Sequence, residues 1–78
     1  MLKTIFSPEY VSLISALQAS RKASGLSQAE LAKKLDKPQS YISKIENKER
    51  RLDVIEYVQM CHSLNVDYKD ILDSVFTN

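Results

Sequence analysis

Three side chains between positions 39 and 44 carry groups that could read a nucleic acid. Gln39, Ser40 and Lys44 are spaced so that a helix over this segment would present them on one exposed face. A glutamine amide can bond N6 and N7 of adenine together, and a lysine can donate to O6 and N7 of guanine. The alternative is that they form the solvated face of an ordinary surface helix.

The charge of the chain is unevenly distributed, and its basic part surrounds these three residues. Residues 21–51 contain nine Lys and Arg against four Asp and Glu, a net charge of +5. Residues 52–78 contain one Lys or Arg against five Asp and Glu, a net charge of −4. The formal total of +1 therefore conceals a strong asymmetry along the chain. The basic segment predicts a sequence-independent attraction to phosphate, which we assign to Lys37, Lys48, Arg50 and Arg51 rather than treating them as solubility charges.

The composition predicts one globular domain, residues 1–78, with neither an enzyme site nor a cofactor site. The chain is 44% hydrophobic and 27% charged, as in ordinary folded domains, and no apolar run approaches the roughly 20 residues of a membrane span. Cys61 and His62 are the only cysteine and the only histidine, so no internal disulfide or metal site is expected. A single free cysteine suits the reducing cytoplasm. No arrangement of Ser, His and Asp suggests a catalytic triad.

Start and stop signals predict five helices that would hold the candidate face in place. The signals are a Ser-Pro start at 7–8, a stop at Gly25, capping boxes at Ser27–Glu30 and Asp53–Glu56, and Pro38 as the first residue of the third helix. The predicted helices cover about 8–24, 28–35, 38–46, 53–64 and 68–76. The chain is therefore predicted to be all-α, and the only candidate strand, residues 3–6, is not favoured.

Apolar residues also occur where a buried face does not require them. The predicted core stripe of the fourth helix is Val54, Tyr57, Met60, Cys61 and Leu64. Four apolar residues are not accounted for by the core: Ile55 and Val58 of the fourth helix, and Val75 and Phe76 at the end of the fifth. They would be covered either by the N-terminal side chains of Leu2, Ile5 and Phe6 or by a second molecule. We favour a dimer or partner surface, since small monomers seldom leave such patches open.

Two central motifs, G-L-S-Q-A-E-L-A at 25–32 and Q-S-Y-I-S-K-I-E at 39–46, are the most specific part of the sequence. They resemble the helix-turn-helix of the Cro/CI phage repressor family, also called the XRE family, and the similarity extends over residues 13–72. The resemblance implies a compact five-helix, lambda-repressor-like fold with helix 38–46 in the major groove of DNA. It also implies a bacterial or phage-encoded protein associated with the nucleoid.

The resemblance gives roles to individual residues. Gln39, Ser40 and Lys44 occupy base-reading positions, and their neighbours Tyr41 and Ser43 would reach a phosphate or a thymine methyl. Backbone contacts are implied for Gln28, which also braces the recognition helix, and for Asn47 and Arg50. Arg21 and Glu46 match an internal ion pair.

The chain departs from the family pattern at two positions. Lys48 stands where the family often has glycine, so either Asn47 takes the left-handed conformation or the helix continues past it. Pro38 replaces a frequent polar residue that can itself touch DNA.

These observations predict a sequence-specific DNA-binding transcription regulator, more specifically a repressor that binds an inverted-repeat operator as a homodimer. The runner-up is an antitoxin-like protein that binds a toxin through the apolar patch and regulates its own operon. A third interpretation is a protein-interaction module that has lost DNA binding.

Overall fold

The computed structural model describes residues 7–76, and over this range the chain folds into five helices with no strand. The helices are α1 (Pro8–Ala23), α2 (Gln28–Lys34), α3 (Gln39–Glu46), α4 (Val54–Leu64) and α5 (Tyr68–Phe76). The predicted all-α fold is confirmed, whereas the candidate strand at 3–6 and the covering role of Leu2, Ile5 and Phe6 lie outside the described residues. None of the described helices is both long enough and apolar enough to cross a membrane.

Side-chain caps begin α1, α2 and α4 at the positions that the sequence indicates. The Ser7 hydroxyl accepts from the Tyr10 amide at 3.2 Å. Ser27 and Glu30 form a complete capping box, with reciprocal hydrogen bonds of 3.1 and 2.8 Å. The Asp53–Glu56 box is equally complete, at 2.8 and 3.1 Å. These bonds satisfy amides that the first turn of a helix leaves without a backbone partner.

Left-handed residues follow most of the helices, and the one after α3 differs from the sequence-based expectation. Gly25 has φ +74° and Asn65 has φ +61°, as expected of residues that terminate a helix. Asp36 also lies at positive φ, +58°. After α3 it is Lys48, at φ +61°, that is left-handed, while Asn47 keeps φ −85°. Both expected alternatives are wrong, because the helix ends at Glu46 and the turn needs the left-handed residue at the position where the family often has glycine.

The start of α3 also differs from the prediction. Pro38 has ψ 156° and stands at the N-cap as an extended residue, so the helix begins at Gln39. A proline fixes φ but leaves ψ free, and its ring therefore suits the position before a helix as well as the first turn. Pro38 offers no side-chain cap, and α3 begins without one.

The core lies where α2 and α3 meet the other helices. Its most enclosed residues, each at most 1% exposed, are Ile42, Cys61, Leu31, Ala32 and Ile45. Two predictions for α4 are wrong. Val54, predicted to be buried, is 69% exposed because side chains in a first turn point back beyond the N-terminus of their helix. Val58, predicted to lie off the core stripe, packs against the core. A helix that touches α1, α2 and α5, as α4 does, buries a wider face than one stripe.

Candidate nucleic-acid interface

Helix α3 has one face in the core and one at the surface. Ile42 and Ile45 are 0% and 1% exposed, and they fix the helix against its neighbours. Gln39, Ser40 and Lys44 are all exposed, and Ser43 is half-buried between the two faces. The three predicted base-reading side chains therefore lie on the outside of a helix whose position is set by packing.

A buried polar network ties the end of α3 to α1. Arg21 and Glu46 form two hydrogen bonds, Nε to Oε2 at 2.7 Å and Nη2 to Oε1 at 3.0 Å, and their side chains are 8% and 7% exposed. Arg21 Nη1 also donates to the Leu26 carbonyl at 2.8 Å. The ion pair implied by the resemblance is present, and the carbonyl contact adds the α1–α2 turn to it.

Gln28 extends this network towards the exposed face. Its Nε2 donates to Glu46 Oε1 at 2.9 Å, and its Oε1 accepts from Gln39 Nε2 at a marginal 3.5 Å. Arg21, Glu46, Gln28 and Gln39 thus form a chain from the interior to the first candidate reading residue. Gln28 braces α3 as the resemblance implies, and it remains half-buried and open to a further contact.

Tyr41 differs most from its expected position. The sequence predicted a base or phosphate contact for it, but its side chain is part of the core and only 9% exposed. Two cations lie against the ring: Lys37 Nζ is 5.2 Å from its centroid and Arg50 Cζ is 4.8 Å away. Burial, and after it the charge of Glu56, raises the pKa of the Tyr41 hydroxyl, so the ring stays neutral at physiological pH.

Arg50 makes an ion pair that the sequence did not suggest. Its Nη1 and Nη2 donate to the two carboxylate oxygens of Glu56 at 3.1 and 3.0 Å, and Nη1 also donates to the Arg51 carbonyl at 3.1 Å. Hydrogen bonding to Arg50 is the main cause that lowers the pKa of Glu56, and the same bond raises the pKa of Arg50. The sequence identified Glu56 only as part of a capping box. The feature of the sequence that could have indicated the ion pair is Arg50, six residues before Glu56.

The other candidate phosphate contacts flank α3. Lys37 stands before the helix, while Asn47, Lys48 and Arg51 follow it. Lys37, Asn47 and Arg51 are exposed and Lys48 is half-buried. Cationic and amide groups therefore both precede and follow α3 along the chain.

The apolar surface predicted for a partner is only partly there. Ile55 and Phe76 are 63% and 66% exposed, and Val54 joins them at 69%. Val75 and Val58 are both half-buried, and Val58 packs against the core. Among the described residues, the large apolar side chains that are most exposed therefore lie in the first turn of α4 and at the end of α5.

Comparison with known proteins gives a consistent result. A family model described as helix-turn-helix matches residues 17–71. The fold is similar to that of an XRE-family like protein from Pseudomonas syringae pv. tomato str. DC3000, with a TM-score of 0.86 and 44% sequence identity. That match covers 94% of this chain and 89% of the other. No curated protein sequence matches the chain.

Proposed function

The chain belongs to the XRE family of DNA-binding helix-turn-helix transcription regulators, and from that membership we propose that it is a repressor acting as a homodimer on an inverted-repeat operator. In this proposal α3 of each subunit enters the major groove of one half-site, and the occupied operator excludes the transcription machinery. Gln39, Ser40 and Lys44 read the base edges.

The observation that carries the proposal is the exposed polar face of α3 on a buried, cross-linked support. Gln39 and Lys44 are exposed, while Glu46 at the end of the same helix is held by Arg21 and Gln28. Side chains that read bases need such a fixed origin, because each good bidentate contact contributes only about 1–3 kcal/mol of discrimination and depends on its geometry.

Two further observations support a dimer. Val54 and Ile55 are adjacent and more than 60% exposed, which is unusual on a small monomer. The molecule measures 32 × 26 × 20 Å, so two copies are small enough to lie side by side on half-sites about 34 Å apart, one DNA turn. One α3 alone would read too few base pairs to find an operator.

Selection from a random duplex pool at about 0.15 M salt tests the proposal directly. We expect recovered sequences to contain an inverted repeat with half-site centres about 10 base pairs apart. A pool that binds without a shared sequence would leave only the electrostatic attraction and would contradict the reading roles of Gln39, Ser40 and Lys44.

A second candidate function is that of an antitoxin-like protein, which the exposed Ile55 and Phe76 favour. A toxin would then cover the first turn of α4 and the end of α5, and the complex would regulate its own operon. A stable heteromer with the product of a neighbouring small gene, disrupted by Ile55→Asp, would support this alternative. Homodimers that persist in the presence of that product would contradict it.

A further inference from the structure

The ring of Tyr41 lies between the segment before α3 and the segment after it. Lys37, from the α2–α3 turn, and Arg50, from the α3–α4 loop, both contact the same ring. We propose that Tyr41 is a positioning residue for DNA binding: it touches no DNA itself but holds the cations on either side of α3 so that both meet phosphates together. The inference rests on the proposed DNA-binding role of these cations.

The distances support an attraction between the ring and both cations. Lys37 Nζ at 5.2 Å and Arg50 Cζ at 4.8 Å from the centroid fall within the roughly 6 Å over which a ring face attracts a cation. Lysine and arginine side chains otherwise lose considerable rotamer freedom when they bind a phosphate. Because the Tyr41 ring already restricts the Lys37 and Arg50 side chains, each loses less rotamer freedom when it binds a phosphate.

The other interactions of Arg50 are consistent with a guanidinium held in place and still able to bind. Its bonds to Glu56 and to the Arg51 carbonyl use N–H groups on Nη1 and Nη2. A guanidinium has five N–H donors in a fixed plane, so three bonds leave two for a phosphate. Glu56 fixes the direction of that plane through two bonds, and the Tyr41 ring lies beside the guanidinium, with its centroid 4.8 Å from Cζ.

The salt dependence of DNA binding distinguishes this positioning role of Tyr41 from ordinary core packing. If Tyr41 were only a core residue, its replacement would change folding stability and would affect binding at every salt concentration by the same factor. If it positions cations for phosphate, its replacement reduces the number of ions released on binding. The slope of log K against log salt then changes by about 0.9 for each phosphate that the protein no longer neutralises.

The test compares Tyr41→Phe with Tyr41→Leu in the full chain on one fixed operator duplex, between about 0.05 and 0.3 M salt. We expect Tyr41→Phe, which keeps the ring, to retain the wild-type slope. Tyr41→Leu should reduce the slope by about 1 to 2 units and weaken binding about 5- to 50-fold at 0.1 M salt. Tyr68→Leu is the matched control, since Lys69 lies 5.9 Å from that ring on α5, and it should leave the slope unchanged.

A folded Tyr41→Leu protein with the wild-type slope would overturn the inference, whereas failure of the wild-type protein to bind DNA would overturn the proposed function instead. If Tyr41→Leu does not fold, phenylalanines carrying one to three ring fluorines at position 41 replace it. They keep the shape of the ring while weakening its negative face. A slope that falls stepwise with fluorine number supports the positioning role, and a constant slope contradicts it.

Discussion

Glu46 accepts hydrogen bonds from two helices other than its own, and this carboxylate adds a polar anchor to the apolar packing of α3. It binds Arg21 of α1 and Gln28 of α2. Both ion-pair side chains are nearly inaccessible, so the pair cannot be replaced by water without rearrangement. Breaking one side of such a pair is far more costly than replacing both sides.

Glu46→Ala is therefore expected to destabilise the fold by about 3–5 kcal/mol, since it leaves the Arg21 charge buried without its partner. The double variant Arg21→Met/Glu46→Leu should recover most of the loss. Urea denaturation measures the free energy of unfolding of both. A single variant as stable as the wild type would show that the pair does not anchor α3. A double variant no better than the single would show that the loss comes from the bonds to Gln28 and the Leu26 carbonyl, which both variants lack or strain.

Gln39→Ala tests the other end of the same network. We expect it to relax the preference at one base pair of each half-site by about 1–3 kcal/mol, because the amide that would bond adenine is gone. Competition binding with operators changed at each position measures the effect. Gln59→Ala, at an exposed glutamine of α4, should change nothing. Unaltered specificity in Gln39→Ala would remove Gln39 from the reading surface.

At the scale of the elements, the helix bounds were predictable from the sequence to within one residue at both ends, whereas the left-handed residues that follow α2 and α3 were not. Ser27–Glu30 and Asp53–Glu56 are local patterns, and both formed the bonds that their residue types indicate. Lys48 and Asp36 take left-handed backbone without being glycine. No local rule selects them, since the direction of the following segment decides which residue must turn.

The left-handed Lys48 gives a prediction with two opposite effects. Lys48→Gly should stabilise the fold by about 0.5–1 kcal/mol, the steric penalty of a side chain at positive φ less the entropy that glycine adds to the unfolded chain. The same change removes a cation and should reduce the salt slope of DNA binding by about 0.9. Urea denaturation measures the change in stability, and the salt dependence of DNA binding measures the loss of the cation.

Gly25→Ala tests the same conformational argument in the opposite direction, because it places a side chain at a left-handed position now occupied by glycine. Gly25 has φ +74°, and, its two chain neighbours aside, no atom of residues 7–76 lies within 4 Å of the position that an alanine methyl would take. Only backbone strain therefore opposes the change, and about 1 kcal/mol of stability should be lost. A Gly25→Ala protein as stable as the wild type would remove the conformational argument for both positions.

The start of α4 should make stability depend on pH in the acid range. Arg50 and the Asp53 amide hold the pKa of Glu56 below its ordinary value of 4.5. A carboxylate with a lowered folded pKa contributes stability above its unfolded pKa and loses it as pH falls through the folded one. Between pH about 6 and about 3, Glu56→Gln should therefore lose less stability than the wild type. Glu30, whose pKa is lowered by Ser27, should contribute a second, independent part, which Glu30→Gln removes.

For the molecule as a whole, the sequence indicated an apolar surface and some of its members, such as Ile55 and Phe76. Spacing alone placed Val54 in the core and Val58 outside it, but Val54 is exposed and the half-buried Val58 packs against the core. The positions of neighbouring helices decide which side of α4 is covered, and periodicity does not contain that information. The Arg50–Glu56 pair was missed for a similar reason, because it forms across a loop whose path is set by packing.

Ile55→Asp tests the interface at this scale. A charge at an exposed position in a dimer contact should weaken dimerisation at least about tenfold, because an unpaired carboxylate would be buried. Sedimentation measures the change. Binding to an isolated half-site should be unaffected while binding to the inverted repeat weakens. Gln59→Asp is the matched surface control. A monomeric wild-type protein would contradict the proposed dimer, and an unaltered dimer in Ile55→Asp would place the interface elsewhere.

The buried thiol of Cys61 is a built-in probe of how often the core of this small protein opens. The chain contains one cysteine and no tryptophan, and the cysteine is 0% exposed with its pKa raised by burial. A thiol reagent can react only when the core opens, so the labelling rate measures that opening without any engineered probe. Adding operator DNA should slow labelling in proportion to occupancy. One unmodified residue would then record how tightly DNA binding and the cohesion of the core are coupled.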